Sequence, residues 1–438
     1  MFKSKLSKFQ KNFLEYKKDN SDMTYYNLPK DVVFCKTCLM SNQKPVQTIE
    51  HMSQVSDQKT TLEFIDGVCH ACRFKKSKSE EIDWKQREYE FRKLLSKYRS
   101  RNGSFDIVVP GSGGKDSFKV AHELKYNYGM NPITCTFAPN IYTSVGYDNL
   151  INWINAGFSN YNYTLNGKIH RFITRLAIDN LLHPFQPWIM GQKAFPNKFA
   201  RMLKIPLVIY GENPMEYDQG QRNYKYNEDV ILELHSRKPD DQLFIAGVNY
   251  KELSENLGIH KSELDAYIPL SIDELKENNT KCITYSYYHK WHPQGNYYYT
   301  RDNSEKFKLS AERTPGTYQK HASLDDKLDD LHYFTAFIKF GVGRAHYDAS
   351  QEIRSGDITL EEGRELIKKF SGEYPKRFMK EISEWLSIDP RKFPESSKFI
   401  EEPFFSEEYF TKLCDTFRSP HIWKLNEKNE FIMRNILN

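Results

Sequence analysis

The string Ser112-Gly113-Gly114-Lys115-Asp116-Ser117, set directly after the apolar run Phe105-Asp106-Ile107-Val108-Val109, most constrains what this chain can fold into. Branched and aromatic side chains at 105–109 suit a buried strand, and Phe118, Ala121 and Leu124 fall on one helical face of 117–128. A strand, a glycine loop and a helix in that order make a phosphate cradle. Glycines at 111, 113 and 114 let the backbone approach an anion, and the helix's first-turn amides point at it with the favourable end of the dipole. Lys115 adds a full positive charge, and Ser112 and Ser117 offer hydroxyl donors. Asp116 is the odd member, because a carboxylate beside phosphates is repelled unless a cation sits between them. It is therefore read as a Mg²⁺ contact.

A Walker A loop needs a glycine five positions before its Gly-Lys pair and a Ser or Thr straight after the lysine. Val109 and Asp116 occupy those positions, and no G-x-G-x-x-G surrounds the loop, which disfavours P-loop and dinucleotide folds. The string resembles the pyrophosphate loop of the N-type ATP pyrophosphatase (PP-loop) superfamily, which includes GMP synthetase, NAD synthetase and the tRNA thiolases. That resemblance implies an α/β fold with a doubly wound parallel sheet. It also implies ATP as cosubstrate, Lys115 and Asp116 as catalytic residues, and residues 112–117 as the nucleotide-binding set.

At 438 residues the chain suits two or three units. Its 63 Lys and Arg against 58 Asp and Glu leave a net +5, too weak over so large a surface to demand nucleic acid. No apolar segment follows the N-terminal charges and no run of about 18 apolar residues appears, so the expectation is a cytoplasmic protein with no membrane partner. Four of the seven cysteines stand in pairs, Cys35-Lys36-Thr37-Cys38 and Cys69-His70-Ala71-Cys72. Two such knuckles suit a closed Zn²⁺ site in a zinc-ribbon-like module, with an iron–sulfur cluster or unrelated buried or redox thiols as the alternatives. The resulting organisation is residues 1–80 for the cysteine module, 81–310 for the ATP-binding α/β unit, and 311–438 for a mostly helical C-terminal region.

Within the second unit, a charged helix is expected at about 83–100, a parallel strand at 132–137 and helices around 147–157, 168–182 and 192–203. The end of strand 132–137 would pass near an adenine, which makes Phe137 a candidate contact. Ile205 to Tyr210 reads as another buried strand, ending at Gly211-Glu212-Asn213-Pro214 on the face where open α/β sheets bind ligands. Gly211, Glu212 and Asn213 are accordingly candidates for ATP or metal, against the alternative of a simple turn. Residues 282–293 read as an aromatic strand running into a loop. Further on, Phe334, Phe337, Ile338 and Val342 share a helical face, as do Phe378, Ile382, Trp385 and Leu386, and Thr359 with Glu362 makes a capping box. Cys135 reads as a buried filler, and none of Cys135, Cys282 and Cys414 sits in a nucleophile elbow.

The cysteine knuckles, the 112–117 loop and Tyr210-Gly211-Glu212-Asn213 combine with a later block to resemble the bacterial N-acetyl sugar amidotransferases. That block is Arg313 to Tyr318, Ser323 to Lys327, His332-Tyr333, Lys339 to Ala345 and Glu352-Ile353-Arg354. The family includes the pseudaminic acid protein PseA and the lipopolysaccharide enzyme WbpG. The resemblance implies conversion of a sugar acetamido group to an acetamidino group through an O-adenylated imidate. It further implies an N-acetylated sugar or nucleotide-sugar substrate, and ammonia from a separate HisH-like glutaminase with a HisF-like cyclase partner. His332, Lys339 and Arg344 are candidates for holding the substrate. The competing reading is a tRNA-modifying enzyme of thiolase or lysidine-synthetase type, which would need a basic RNA-binding face.

Overall fold

A computed structural model describes residues 16, 20–45, 61–212, 237–277, 279–434 and 437. Five parallel strands form the central sheet: β1 Ile107–Pro110, β2 Pro132–Phe137, β3 Asn160–Tyr163, β4 Leu207–Tyr210 and β5 Lys281–Thr284. Their order is β3-β2-β1-β4-β5, so the chain winds outward from β1 in one direction and then, from β4, in the other. Ile107 stands opposite Pro132, Thr134 opposite Asn160, and Leu207 opposite Lys281. This is the doubly wound α/β arrangement expected above, and its strand order reverses between β1 and β4, where such sheets bind ligands.

The helices that matter for the site are α1 His70–Glu80, α2 Trp84–Tyr98, α3 Lys115–His122, α4 Ser144–Asn155, α5 Gly167–Leu181 and α6 Gln186–Leu203. After β5 come α7 Pro293–Asn303, α8 Asp329–Phe340, α9 Arg344–Ser355, α10 Leu360–Phe370, α11 Met379–Leu386 and α12 Glu407–Phe417. Both sheet faces are covered, which is why β1 and β4 are unbroken apolar runs. Ile107, Val109, Leu207, Ile209 and Ile283 pack with Phe91 and Leu95 of α2, Phe118 of α3 and Trp153 of α4. Val108, Val208, Tyr210 and Cys282 point the other way and meet Phe195 and Phe199 of α6.

The strand expected at 105–109 runs 107–110, and the helix after the loop passes at Glu123–Asn127 into one wider π turn. The helix expected at 192–203 starts earlier, at Gln186, with Pro187 in its first turn. The aromatic segment 282–293 is not one strand: β5 ends at Thr284, a 3₁₀ turn covers Tyr285–Tyr287, and α7 begins at Pro293. The Thr359–Glu362 capping box is present at the start of α10.

Helix α8 is the hub of the C-terminal region. Leu331 and Ile338 pack with Leu182 and with Ile382 and Leu386 of α11, whereas Ala336 and Phe340 belong to the core around the four cysteines and Trp423. The cysteine module therefore shares its core with the C-terminal region. Gly341, at φ +65°, ends α8, and Gly343 opens α9, which leaves Arg344 as that helix's first residue.

Candidate active site

The loop after β1 is built on two glycines with different duties. Gly113 has φ +84°, and a Cβ there would lie 2.5 Å from the Asn149 carbonyl oxygen of α4, so only glycine lets the loop seat on that helix. A Cβ at Gly114 would meet nothing closer than Ser112 Oγ at 4.0 Å, and Gly114 caps α3 without a side chain. The first-turn amides of α3 are therefore left for a ligand.

This loop opens into a cleft of about 430 Å³. Ser112, Gly114, Lys115 and Asp116 form one wall, Phe185, Trp188, Gln192, Lys193 and Glu212 a second, and His321 to Asp326, Asp329, His332, Tyr333 and Arg344 a third. The third wall comes from segments held by a polar lattice. Asp326 accepts from the Asn140 backbone N–H at 2.5 Å, Asn140 Nδ2 at 2.8 Å, Ile141 N–H at 3.2 Å and Leu328 N–H at 3.0 Å. Arg313 forms a bidentate pair with Glu373, and Thr317 donates to Asp348 at 2.5 Å. The Asp326 bonds tie this segment to the turn after β2, and the other two tie it to Asp348 of α9 and to Glu373 beyond α10.

Each cleft cation has an anionic partner. Lys115 Nζ lies 2.5 Å from Asp116 Oδ2, Lys193 pairs with Glu212, and Arg344 Nε lies 2.7 Å from Asp348 Oδ1. A polyphosphate would compete for Lys115 and Lys193. The acidic wall is crowded. Burial pushes the Asp325 carboxyl up, partly offset by a hydrogen bond from Ser112, and burial together with Asp325 and Asp326 raises Asp329 well above the usual range. Burial raises Asp326 to about 7 against the pull of its N–H donors. His321, stacked on Tyr297 at 4.7 Å, is held down at about 4 by burial and then by the Lys115 charge, so its imidazole is neutral at pH 7. Its Nε2 has no hydrogen-bond partner among the described residues.

Residues 305–436 match the C-terminal domain of the WbpG-like LPS biosynthesis proteins. That WbpG-like span carries the whole third wall, from His321 to Arg344. No curated protein matches the chain. Among the described residues, no helix is long and apolar enough to cross a membrane.

Several expected site residues meet in the cleft: Ser112, Gly114, Lys115, Asp116, Glu212, His332 and Arg344. Gly113 and Ser117 shape the loop from behind, Ser117 donating to the Gly114 carbonyl at 3.2 Å. Gly211 lies under the loop, where a Cβ would come within 3.2 Å of the Asp116 carbonyl oxygen. Ser112, read as a phosphate donor, is bonded to Asp325. Phe137 is a core residue packed against Trp188 and Phe195 rather than a wall of the cleft, which Trp188 lines instead. Lys339 is buried and donates to the Leu181 carbonyl at 3.2 Å, away from the cleft lining. It lies seven residues, or about 10 Å of helix, beyond His332. Asn213 lies outside the described residues. Sequence reasoning missed His321, Lys193, Trp188 and Asp329, which reach the cleft through tertiary packing with no local motif.

The four knuckle cysteines converge. Their Sγ atoms all lie within 4.8 Å of one another, with Cys35–Cys72 at 3.8 Å and Cys38–Cys69 at 3.6 Å, and all four are buried. A tetrahedron with Zn–S bonds of about 2.3 Å has edges of about 3.8 Å, so the donor set fits Zn²⁺. Arg354 of α9 donates to Cys38 Sγ at 3.5 Å, a buried cation suited to offset the charge of four thiolates. The same helix carries Arg344 into the cleft. The other three cysteines are buried, and burial pushes each thiol up, Cys282 to about 12, so none is an activated nucleophile.

Proposed function

We propose that this chain is an ATP-dependent amidotransferase of bacterial surface-sugar biosynthesis, related to the WbpG-like LPS biosynthesis proteins and built on the PP-loop fold. It would convert an acetamido group to an acetamidino group, releasing AMP and pyrophosphate. One observation carries this reading. The 112–116 loop and the wall from the WbpG-like domain face each other across a single cleft.

The chemistry follows from what each wall offers. An amide carbonyl is a poor electrophile, but its oxygen can attack the α-phosphate of ATP, breaking the bond to pyrophosphate and leaving an O-adenylated imidate. Ammonia then adds at the imidate carbon, the bond to AMP breaks, and the amidine remains. Lys115 and the first-turn amides of α3 are placed to take up charge developing on pyrophosphate. Asp116 would hold Mg²⁺ jointly with the phosphates, the usual manner for this ion, which would neutralise part of their charge. Neutral His321, whose Nε2 has no partner among the described residues, is suited to hydrogen-bond the attacking ammonia. The four cysteines would hold Zn²⁺ in a structural role, with its nearest elements packed on α8 and α9. Positioning is the protein's main contribution.

The test is to mix purified chain, ATP, candidate N-acetylated sugars or nucleotide sugars and an ammonium salt, without any partner protein. Mass spectrometry should detect slow replacement of the amide oxygen by NH. A separate glutaminase is the proposed physiological source of ammonia. Strict dependence on added glutaminase even at high ammonium would contradict the assignment of the whole amidine-forming reaction to this chain.

A further inference from the structure

Helix α7 carries an unusual buried face. Its buried residues are Pro293, Asn296 and Thr300, so two of the three are polar, and both are aimed at the loop. Asn296 Nδ2 donates to Asp116 Oδ1 at 2.6 Å, and one turn later Thr300 Oγ1 donates to the Lys115 carbonyl at 2.9 Å. The orientation of the Asn296 amide is determined by its surroundings. Lys119 Nζ, 3.1 Å from Asn296 Oδ1, can only donate, so the amide oxygen must face Lys119 and the NH₂ must face Asp116.

Asp116 is thus held at both oxygens, by Lys115 at Oδ2 and by Asn296 at Oδ1. The two holders differ in kind. Lys115 lines the cleft on a flexible stem and is the group a polyphosphate would draw away. Asn296 is 3% exposed, fixed by Lys119 from behind, and has no route to the ligand. When Lys115 turns to phosphate, Asn296 is what keeps the carboxylate from swinging out of line. The geometry points to Asn296 as the positioning residue of Asp116, with Thr300 clamping the Lys115 backbone beside it. Asn296 touches no reacting atom; it acts by presenting one carboxylate oxygen of Asp116 to a divalent cation while occupying the other.

This inference rests on the ATP reading of the loop, and its test separates the two. The probe is α,β-methylene-ATP, which cannot lose pyrophosphate, titrated calorimetrically into the full chain with Mg²⁺ and again with EDTA. Loss of one hydrogen bond to a charged group predicts that Asn296→Ala weakens binding about ten-fold with Mg²⁺. With EDTA the affinity should stay near that of the wild type. Asn296→Asp keeps the acceptor for Lys119 but sets a carboxylate against Asp116, and it should weaken Mg²⁺-dependent binding further. In an Asp116→Asn background, Asn296→Ala should have no additional effect. Equal weakening with and without Mg²⁺, or a full effect persisting in Asp116→Asn, would overturn the proposal. Wild-type binding unchanged by Asn296→Ala would overturn it alone. Failure of the wild-type chain to bind the analogue at all would take the ATP reading down with it.

Discussion

Replacing Gly113 or Gly114 with alanine adds the same methyl group at adjacent positions of one loop, and the two substitutions should fail in different ways. At Gly113 the backbone sits at φ +84°, which costs a non-glycine residue about 1–2 kcal/mol. The new Cβ would also lie 2.5 Å from the Asn149 carbonyl oxygen and 3.0 Å from Leu150 Cα, both backbone atoms on the buried face of α4 that cannot step aside cheaply. Forcing a methyl into such packing adds about 1–3 kcal/mol. Gly113→Ala should therefore lose about 2–5 kcal/mol of stability. Gly114 has φ −66° and ψ 163°, allowed for any residue, and its Cβ meets only Ser112 Oγ at 4.0 Å. Gly114→Ala should cost only about 0.5–1 kcal/mol as an N-cap change. Its methyl would instead stand at the mouth of the α3 amides, where phosphate would approach under the proposed function. Thermal melts by circular dichroism and ATP titrations of both variants give the comparison. Gly113→Ala should melt several degrees early, and Gly114→Ala should melt within about two degrees of the wild type but bind ATP far more weakly. A Gly113→Ala protein as stable as the wild type, or a Gly114→Ala protein with undiminished ATP affinity, would refute the reasoning.

Three further outcomes follow from named contacts. Metal analysis of the purified chain should return zinc, and Cys69→Ser should lose it together with much of the stability, because the cysteines share a core with Phe340 and Trp423. Arg344→Ala should raise the sugar KM more than it changes ATP binding. It should also destabilise the chain by about 1–3 kcal/mol, since buried Asp348 keeps only Thr317 of the two side-chain donors described for it. Burial lowers His346 to about 4 from 6.5, with its Nε2–H donating to the Leu39 carbonyl at 2.6 Å. Because the folded pKa is depressed, this histidine's contribution is present above about pH 6.5 and is lost as pH falls through about 4. Urea denaturation across that window should find the stability gap between wild type and His346→Gln shrinking on acidification, by up to about 3 kcal/mol. A gap that does not change with pH would contradict this.

The parts of the fold legible from the chain were those with strong local signals. The β1 run, the glycine loop and the helix after it are consecutive, and β2 and β4 are short apolar stretches bounded by turn residues. Strand β3 was not legible, because Asn160-Tyr161-Asn162-Tyr163 is a polar edge strand, joined to β2 partly through Asn160 Nδ2 bonds to Thr134 and Thr136 at 2.9 and 3.0 Å. The start of α7 carried a signal that went unread, His292 as N-cap followed by Pro293 at the first helical position. Within the site, Lys115 and Asp116 could be found by spacing. His321, Asp325 and Asp329 could not be assigned to the cleft that way, since they are brought to the loop from about 200 residues away by the bonds of Asp326 to residues 140 and 141. Lys339 illustrates the opposite error. It shares a helical face with His332, but two turns of rise carry it past the cleft to Leu181.

The most direct measurement is the identity of the nucleotide products. ³¹P NMR of the chain turning over ATP with an N-acetylated sugar and ammonium should find AMP and pyrophosphate formed in equal amounts, matching the amidine. ADP with inorganic phosphate would contradict attack at the α-phosphate and remove the loop at 112–117 from the role assigned to it.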